Sequence, residues 1–293
     1  MNRSNDNDVE NIEAVVSRTD GSELSSIKNI VSGIVEIINN PESTVQQLKQ
    51  IIETDPPLTA KVLKISNSAY YGGRGRIGDI EQAVIWIGFD ALKEIALSQK
   101  VCELFKKEER IYGYSRPLLW RHCVCCALLC KYVYRMEFNE RGENAYVAGL
   151  LHDIGIIVED QFLHTQFEHV IERCAGEDMN LADAENELFG YNHAQVGAAL
   201  AGRWHFPDEL KHAIEAHHSP EHTPAQYERL AVTTYVCDHL SQTSGEGYKD
   251  APRTDDTLYT ESLKLLGLHP FSMEIIAEKM QQELQRRSRR GWL

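Results

Sequence analysis

The chain has 293 residues, 42% of them apolar and 25% charged, a composition that suits a soluble globular protein and excludes collagen-like or wholly disordered chains. That length accommodates one large domain or two modest ones. Thirty basic residues against 44 acidic ones leave a formal charge of −14, which opposes broad contact with nucleic acid or anionic membranes. No apolar run approaches the roughly 20 residues of a spanning helix, and residues 1–10 are polar and acidic, unlike a secretion signal, so the expected location is cytoplasmic. Seven cysteines, four of them between Cys123 and Cys130, fit a reducing compartment. They lack the second ligand pair of a zinc knuckle and read as small core residues.

Residues 1–20 read as a flexible N-terminus. Leu24, Ile27, Val31, Ile34 and Ile38 then step by three and four, which predicts a core-facing helix broken by Asn40-Pro41. Ser43 and Gln46 have capping-box spacing ahead of a second helix through Leu48, Ile51 and Ile52. Asp55 before Pro56 and Pro57 predicts a third, ending near Asn67. Residues 70–78 contain four glycines and two arginines and read as a loop. Asp79 and Gln82 restart a helix that Gly88 ends, and Asp90 is the expected cap of another through Leu92, Ile95, Ala96 and Val101.

The charged run 106–110, followed by Gly113 and Pro117, marks a boundary near residue 112. It divides an N-terminal helical lobe, 21–112, from a second lobe, 113–293. Helical patterns recur around 120–134, 144–152, 194–204, 209–217 and 229–240, without convincing strand alternation. Residues 241–257 are polar and read as loose. A last pattern, 275–284, ends in Arg286, Arg287, Arg289 and Arg290, cations suited to a helix C-terminus. The fold class is therefore all-α, a two-lobed helical bundle.

The chemistry concentrates in the second lobe. His152-Asp153 sits at the end of an apolar helix, before Gly155, which is expected to terminate it. An adjacent imidazole and carboxylate suit a divalent cation, and the second carboxylate oxygen can bridge to another ion. His122, His193, His217-His218 and Asp238 each fall on a different predicted helix or helix end. Inward-facing side chains from several helices are how bundles build metal sites. The other histidines, such as His164 and His205, read as surface or capping residues.

His122, His152-Asp153 and Asp238, in that order, resemble the signature of the HD superfamily of metal-dependent phosphohydrolases. His193, His217 and His218 resemble the added ligands of its two-metal HD-GYP branch. The runs PLTAKVLKISNS from Pro57 and IEQAVIWIG from Ile80, with Asn192-His193-Ala194-Gln195-Val196-Gly197, resemble an HDOD domain more specifically; the likeness covers about residues 24–240. The resemblance implies an HD-like fold, a site of two divalent ions (iron, manganese, nickel or zinc) and Asp153 as the bridging catalytic ligand. His122, His152 and Asp238 are expected on one ion and His193, His217 and His218 on the other. The implied role is that of a signalling output protein, with hydrolysis of a phosphate ester or nucleotide as its activity and a signalling protein as partner. The alternative is a non-catalytic interaction module with a structural or vestigial metal site. Ile156 replaces the lysine of the HD-GYP branch and no Gly-Tyr-Pro segment follows His218, which argues against cyclic-di-GMP cleavage. With Ile156 in place of a cation, stabilisation of the phosphate is expected to rest on the metals or on an arginine such as Arg121 or Arg203.

Overall fold

Helix starts in this chain are set by short polar side chains that accept from otherwise unpaired N–H groups. The computed structural model describes residues 11–71, 77–177, 179–248 and 257–289. Asn11 caps α1 (Ile12–Ser17), Ser22 caps α2 (Glu23–Asn39) and Thr44 caps α3 (Val45–Glu53). The capping box of α3 is Thr44 with Gln47, one residue beyond the Ser43 and Gln46 pair expected from the sequence. Asp55 caps α4 (Pro56–Ser66) and Asp79 caps α5 (Ile80–Ile87). Gly88, with φ of 92°, turns the chain directly into α6 (Phe89–Val101). Asp90 is thus not a cap; it lies in the first turn of α6 and pairs with Lys93 at 2.9 Å.

The second half continues with α7 (Arg116–Met136), α8 (Glu143–Leu151), α9 (Ile154–Phe162), α10 (His164–Glu177) and α11 (Leu181–Phe189). It ends with α12 (His193–Arg203), α13 (Asp208–Glu215), α14 (Glu228–Thr243), α15 (Thr257–Leu266) and α16 (Pro270–Ser288). The fold is all-α; among the described residues the only β pairing is an isolated bridge between Ile111 and Tyr114. No helix among them is long and apolar enough to cross a membrane.

Three expectations change. The stretch read as flexible contains α1, whose Val15 and Val16 are buried where it packs on α9 and α12. Gly155 does not end a helix but lies in the first turn of α9. Within the segment read as loose, residues 241–243 extend α14, and the N–H of buried Tyr248 donates to the Leu118 carbonyl at 2.9 Å. Glycines 72, 73 and 75 of the expected loop and residues 249–256 lie outside the described residues.

Apolar packing joins the two halves. One cluster of buried side chains extends from Val15 to Leu284, across the boundary expected near residue 112. α7 is its centre and packs against α8, α14 and α16. Its N-terminus is anchored by a buried ion pair, Arg116 Nε to Asp160 Oδ2 at 2.6 Å, with Tyr114 OH donating to the same oxygen at 3.1 Å. Two glycines bring the site-bearing helices close. A Cβ on Gly149 of α8 would lie 2.7 Å from the Ala127 nitrogen of α7, and one on Gly155 of α9 would collide with the His193 carbonyl of α12.

Candidate metal centre

Five elements converge on one buried cluster. His122 comes from the middle of α7, His152 from the end of α8, Asp153 from the start of α9, His193 from the first turn of α12 and Asp238 from α14. His217 and His218 follow α13. His218 is partly exposed; the other six are at most 5% exposed.

The two oxygens of Asp153 divide the cluster. Oδ2 faces His152 Nε2 at 3.2 Å and His122 Nε2 at 3.4 Å, and Asp238 Oδ1 lies 3.0 Å from the same His122 nitrogen. Oδ1 faces His193 Nε2 and His217 Nε2, each at 3.4 Å, while His218 Nε2 lies 2.8 Å from His193 Nε2. Two groups therefore have potential ligand atoms close enough to share an ion: His122, His152 and Asp153, and His193, His217 and His218.

The far side of each inner imidazole is occupied. His152 Nδ1 lies 2.9 Å from the Gly149 carbonyl and His217 Nδ1 lies 2.7 Å from the Ile214 carbonyl. His193 Nδ1 lies 2.7 Å from Glu185 Oε2, and His122 Nδ1 lies 3.2 Å from Ser241 Oγ. A carbonyl or carboxylate can only accept, so Nδ1 carries the proton in His152, His217 and His193 and Nε2 offers its lone pair to the centre. Metal-ligating histidines are oriented this way. Gln242 Nε2 donates to Asp238 Oδ1 at 3.1 Å, fixing that carboxylate. Glu185, Ser241 and Gln242 carried no motif in the sequence; they are found only through contact with the cluster.

The electrostatics demand positive charge here. Burial opposes ionisation of Asp153, but the neighbouring His152, then His193 and His217, outweigh it and hold the carboxyl well below the usual range. For Asp238 burial is outweighed by His122 and His152. Burial lowers His152 and His193, yet Asp153 and Asp238 raise the first and Glu185 and Asp153 the second, leaving both well above the ordinary imidazole value. His217 is pushed down, first by burial and then by neighbouring imidazoles. The donor set fits divalent ions of the iron-to-zinc series better than magnesium or calcium, which favour oxygen.

Behind His193 lies a second carboxylate pair. Glu159 and Glu185 are both fully buried, and no donor reaches either oxygen of Glu159. Burial, then the Glu185 charge, pushes Glu159 well above the usual carboxylate range.

Both arginines expected to meet the phosphate are paired with carboxylates. Arg121 is paired with Glu246, its Nε donating to Oε2 at 2.7 Å, and Arg203 is paired with Asp20. The cysteines of α7 are buried and form no disulfide. His164 joins Glu109 and Glu168 in a partly exposed surface group.

The model of the HDOD domain family matches residues 24–220 of this chain. The protein belongs to the HDOD family. A solved HDOD domain protein of unknown function from Geobacter sulfurreducens is 26% identical, with a TM-score of 0.75 over 88% of this chain and 90% of that one. A candidate phosphohydrolase from Shewanella amazonensis SB2B is 22% identical, with a TM-score of 0.65 over 89% of this chain and 94% of that one; it is similar in fold. An uncharacterized protein of Treponema pallidum is 25% identical over 214 residues, 72% of this HDOD chain but 41% of that relative's length. The match therefore spans about two fifths of that longer protein.

Proposed function

We propose that this HDOD protein holds two divalent cations bridged by Asp153 and hydrolyses a phosphate ester or nucleotide as the output of a signalling system. The observation that carries the proposal is the division of Asp153: each carboxylate oxygen faces its own set of histidine Nε2 atoms. His122, His152 and Asp238 serve one ion and His193, His217 and His218 the other. Two ions bridged this way would supply Lewis acidity to a phosphoryl group and lower the pKa of a water. The chain's own contribution is orientation. Gly149, Ile214 and Glu185 hold three imidazoles by Nδ1, and the apolar packing of α7, α8 and α9 excludes bulk water. Substrate would approach past His218, the partly exposed member. The naming of the Shewanella relative as a candidate phosphohydrolase agrees with this reading.

The test is turnover by protein loaded with iron, manganese, nickel or zinc on a panel of phosphomonoesters, phosphodiesters and nucleotides. Metal-dependent hydrolysis that Asp153→Ala abolishes, with helicity and melting retained, supports the reading. No turnover by fully loaded protein across the panel overturns it.

One observation favours a second reading. Six of the seven residues are at most 5% exposed, which also suits a closed, structural metal site in a non-catalytic module that binds a signalling protein. On that reading a chelator lowers the melting temperature while no phosphoester is turned over, and a signalling partner binds wild type and a folded ligand variant equally.

A further inference from the structure

A second, partly open cavity lies apart from the metal centre, where α6 of the first half faces α7 and α16. It is a cavity of about 320 Å³, and none of the seven cluster residues lines it. Its charged lining consists of Lys131, Arg135, Arg286 and Arg287 against Glu94 and Glu283. Lys131 Nζ lies 2.6 Å from Glu94 Oε2, and Arg287 Nε donates to Glu283 Oε1 at 3.1 Å, so these four neutralise one another in pairs. Arg135 and Arg286 are the surplus. Arg135 comes no closer than 3.9 Å to Glu94 and Glu143, its Nε donating instead to the uncharged Arg141 carbonyl, and Arg286 stays 3.8 Å from Glu283. Among the lining side chains four cations face two carboxylates, an excess of two, with Glu143 beyond the lining as a further weak partner of Arg135.

Apart from Ser98 and Gln99, the rest of the lining is aromatic and apolar. Trp120, Tyr132, Tyr70 and Tyr71 contribute rings, with Ile95 and Val124 between them. The indole Nε1 of Trp120, a residue only 4% exposed, has no hydrogen-bond partner.

We infer that this cavity binds a small organic anion built of one flat ring and one acidic group, with the chemistry of a nucleoside monophosphate. Arg135 and Arg286 take the anion, and the aromatic wall formed by Trp120 and Tyr132 takes the base. The volume is at the lower end of the range for small-molecule pockets and suits a single nucleotide rather than a dinucleotide. This site is independent of the proposed hydrolysis. A ligand here would tie α16 to α7, the helix that carries His122.

The experiment is calorimetric titration of the full chain, stripped of metal with EDTA, with AMP, GMP, adenosine and inorganic phosphate. The expected result is one nucleoside monophosphate per chain, bound at least about 10-fold more tightly than adenosine or phosphate, since charge and ring are both needed. Arg135→Ala with Arg286→Ala removes two exposed cations without disturbing the core and should weaken binding about 10-fold or more. Ala91→Phe, on the cavity wall, should weaken it by filling the space while leaving every charge in place. The inference is overturned if the stripped protein binds neither nucleotide, if binding appears only after metal is restored, if adenosine binds as tightly as AMP, or if the folded cavity variants bind like wild type.

Discussion

Glu185 Oε2 accepts from both the backbone N–H of His193, at 2.8 Å, and its imidazole Nδ1, at 2.7 Å. One fully buried carboxylate from α11 thereby sets both the start of α12 and the direction in which His193 presents its other nitrogen. Losing such an orienting partner costs a metal site roughly 10–100-fold in affinity. Glu185→Ala is therefore expected to weaken one of two bound ions by about that factor and leave the other unchanged. Competition with a chromogenic chelator measures it, and two unaltered affinities would refute the orienting role.

Asp153 and Asp238 should differ in what their removal does. Asp238 lies beside His122 and His152 only, whereas Asp153 touches both histidine sets. Elemental analysis of Asp238→Ala is expected to find about one ion per chain, held by the His193 side, and Asp153→Ala is expected to reduce both sites. Equal loss in the two variants would contradict the division at Asp153.

Glu159 gives the protein a pH dependence opposite in sign to that of its ion-paired carboxylates. Burial and the Glu185 charge raise its folded pKa above the unfolded value of about 4.3. Between the two values the native chain keeps a proton that the unfolded chain releases, so this group loses stability as pH rises, by up to about 1.4 kcal/mol per pH unit. Glu159→Gln keeps the shape and removes the titration. Urea unfolding at pH 5 and pH 8 should show the variant gaining on wild type at the higher pH; a constant difference would show that Glu159 does not hold the proton.

Gly155 has no room for a side chain because its Cα faces the His193 carbonyl. Gly155→Ala is expected to cost about 1–3 kcal/mol by pushing α9 from α12. Asp153 and His193 sit on the two displaced elements, so metal content should fall with stability. A variant with wild-type melting and metal content would mean that the helices separate freely.

Much of this protein was legible in the residue pattern, because its amphipathic helices bury one face and carry local caps. α2 was readable from Leu24, Ile27, Val31 and Ile34, and α4 from Asp55 with its two prolines. The order of His122, His152-Asp153, His193, His217-His218 and Asp238 was readable as well, since motif order survives in one dimension. α9 was not, because Ile154 to Asp160 are all buried and a helix enclosed on every side has no periodicity to detect. Nor were α1, α10, α11 and α15, and the caps at Thr44 and Gly88 escaped by a residue or two.

Tertiary packing alone decided which oxygen of Asp153 faces which histidines, and that Glu185 and Ser241 stand behind the ring nitrogens of His193 and His122. It also decided that Arg121 and Arg203 spend their charge on Glu246 and Asp20. A side chain's own type determines what it can donate or accept. Its partner is chosen by how closely helices distant in sequence approach, and here Gly149 and Gly155 set that distance.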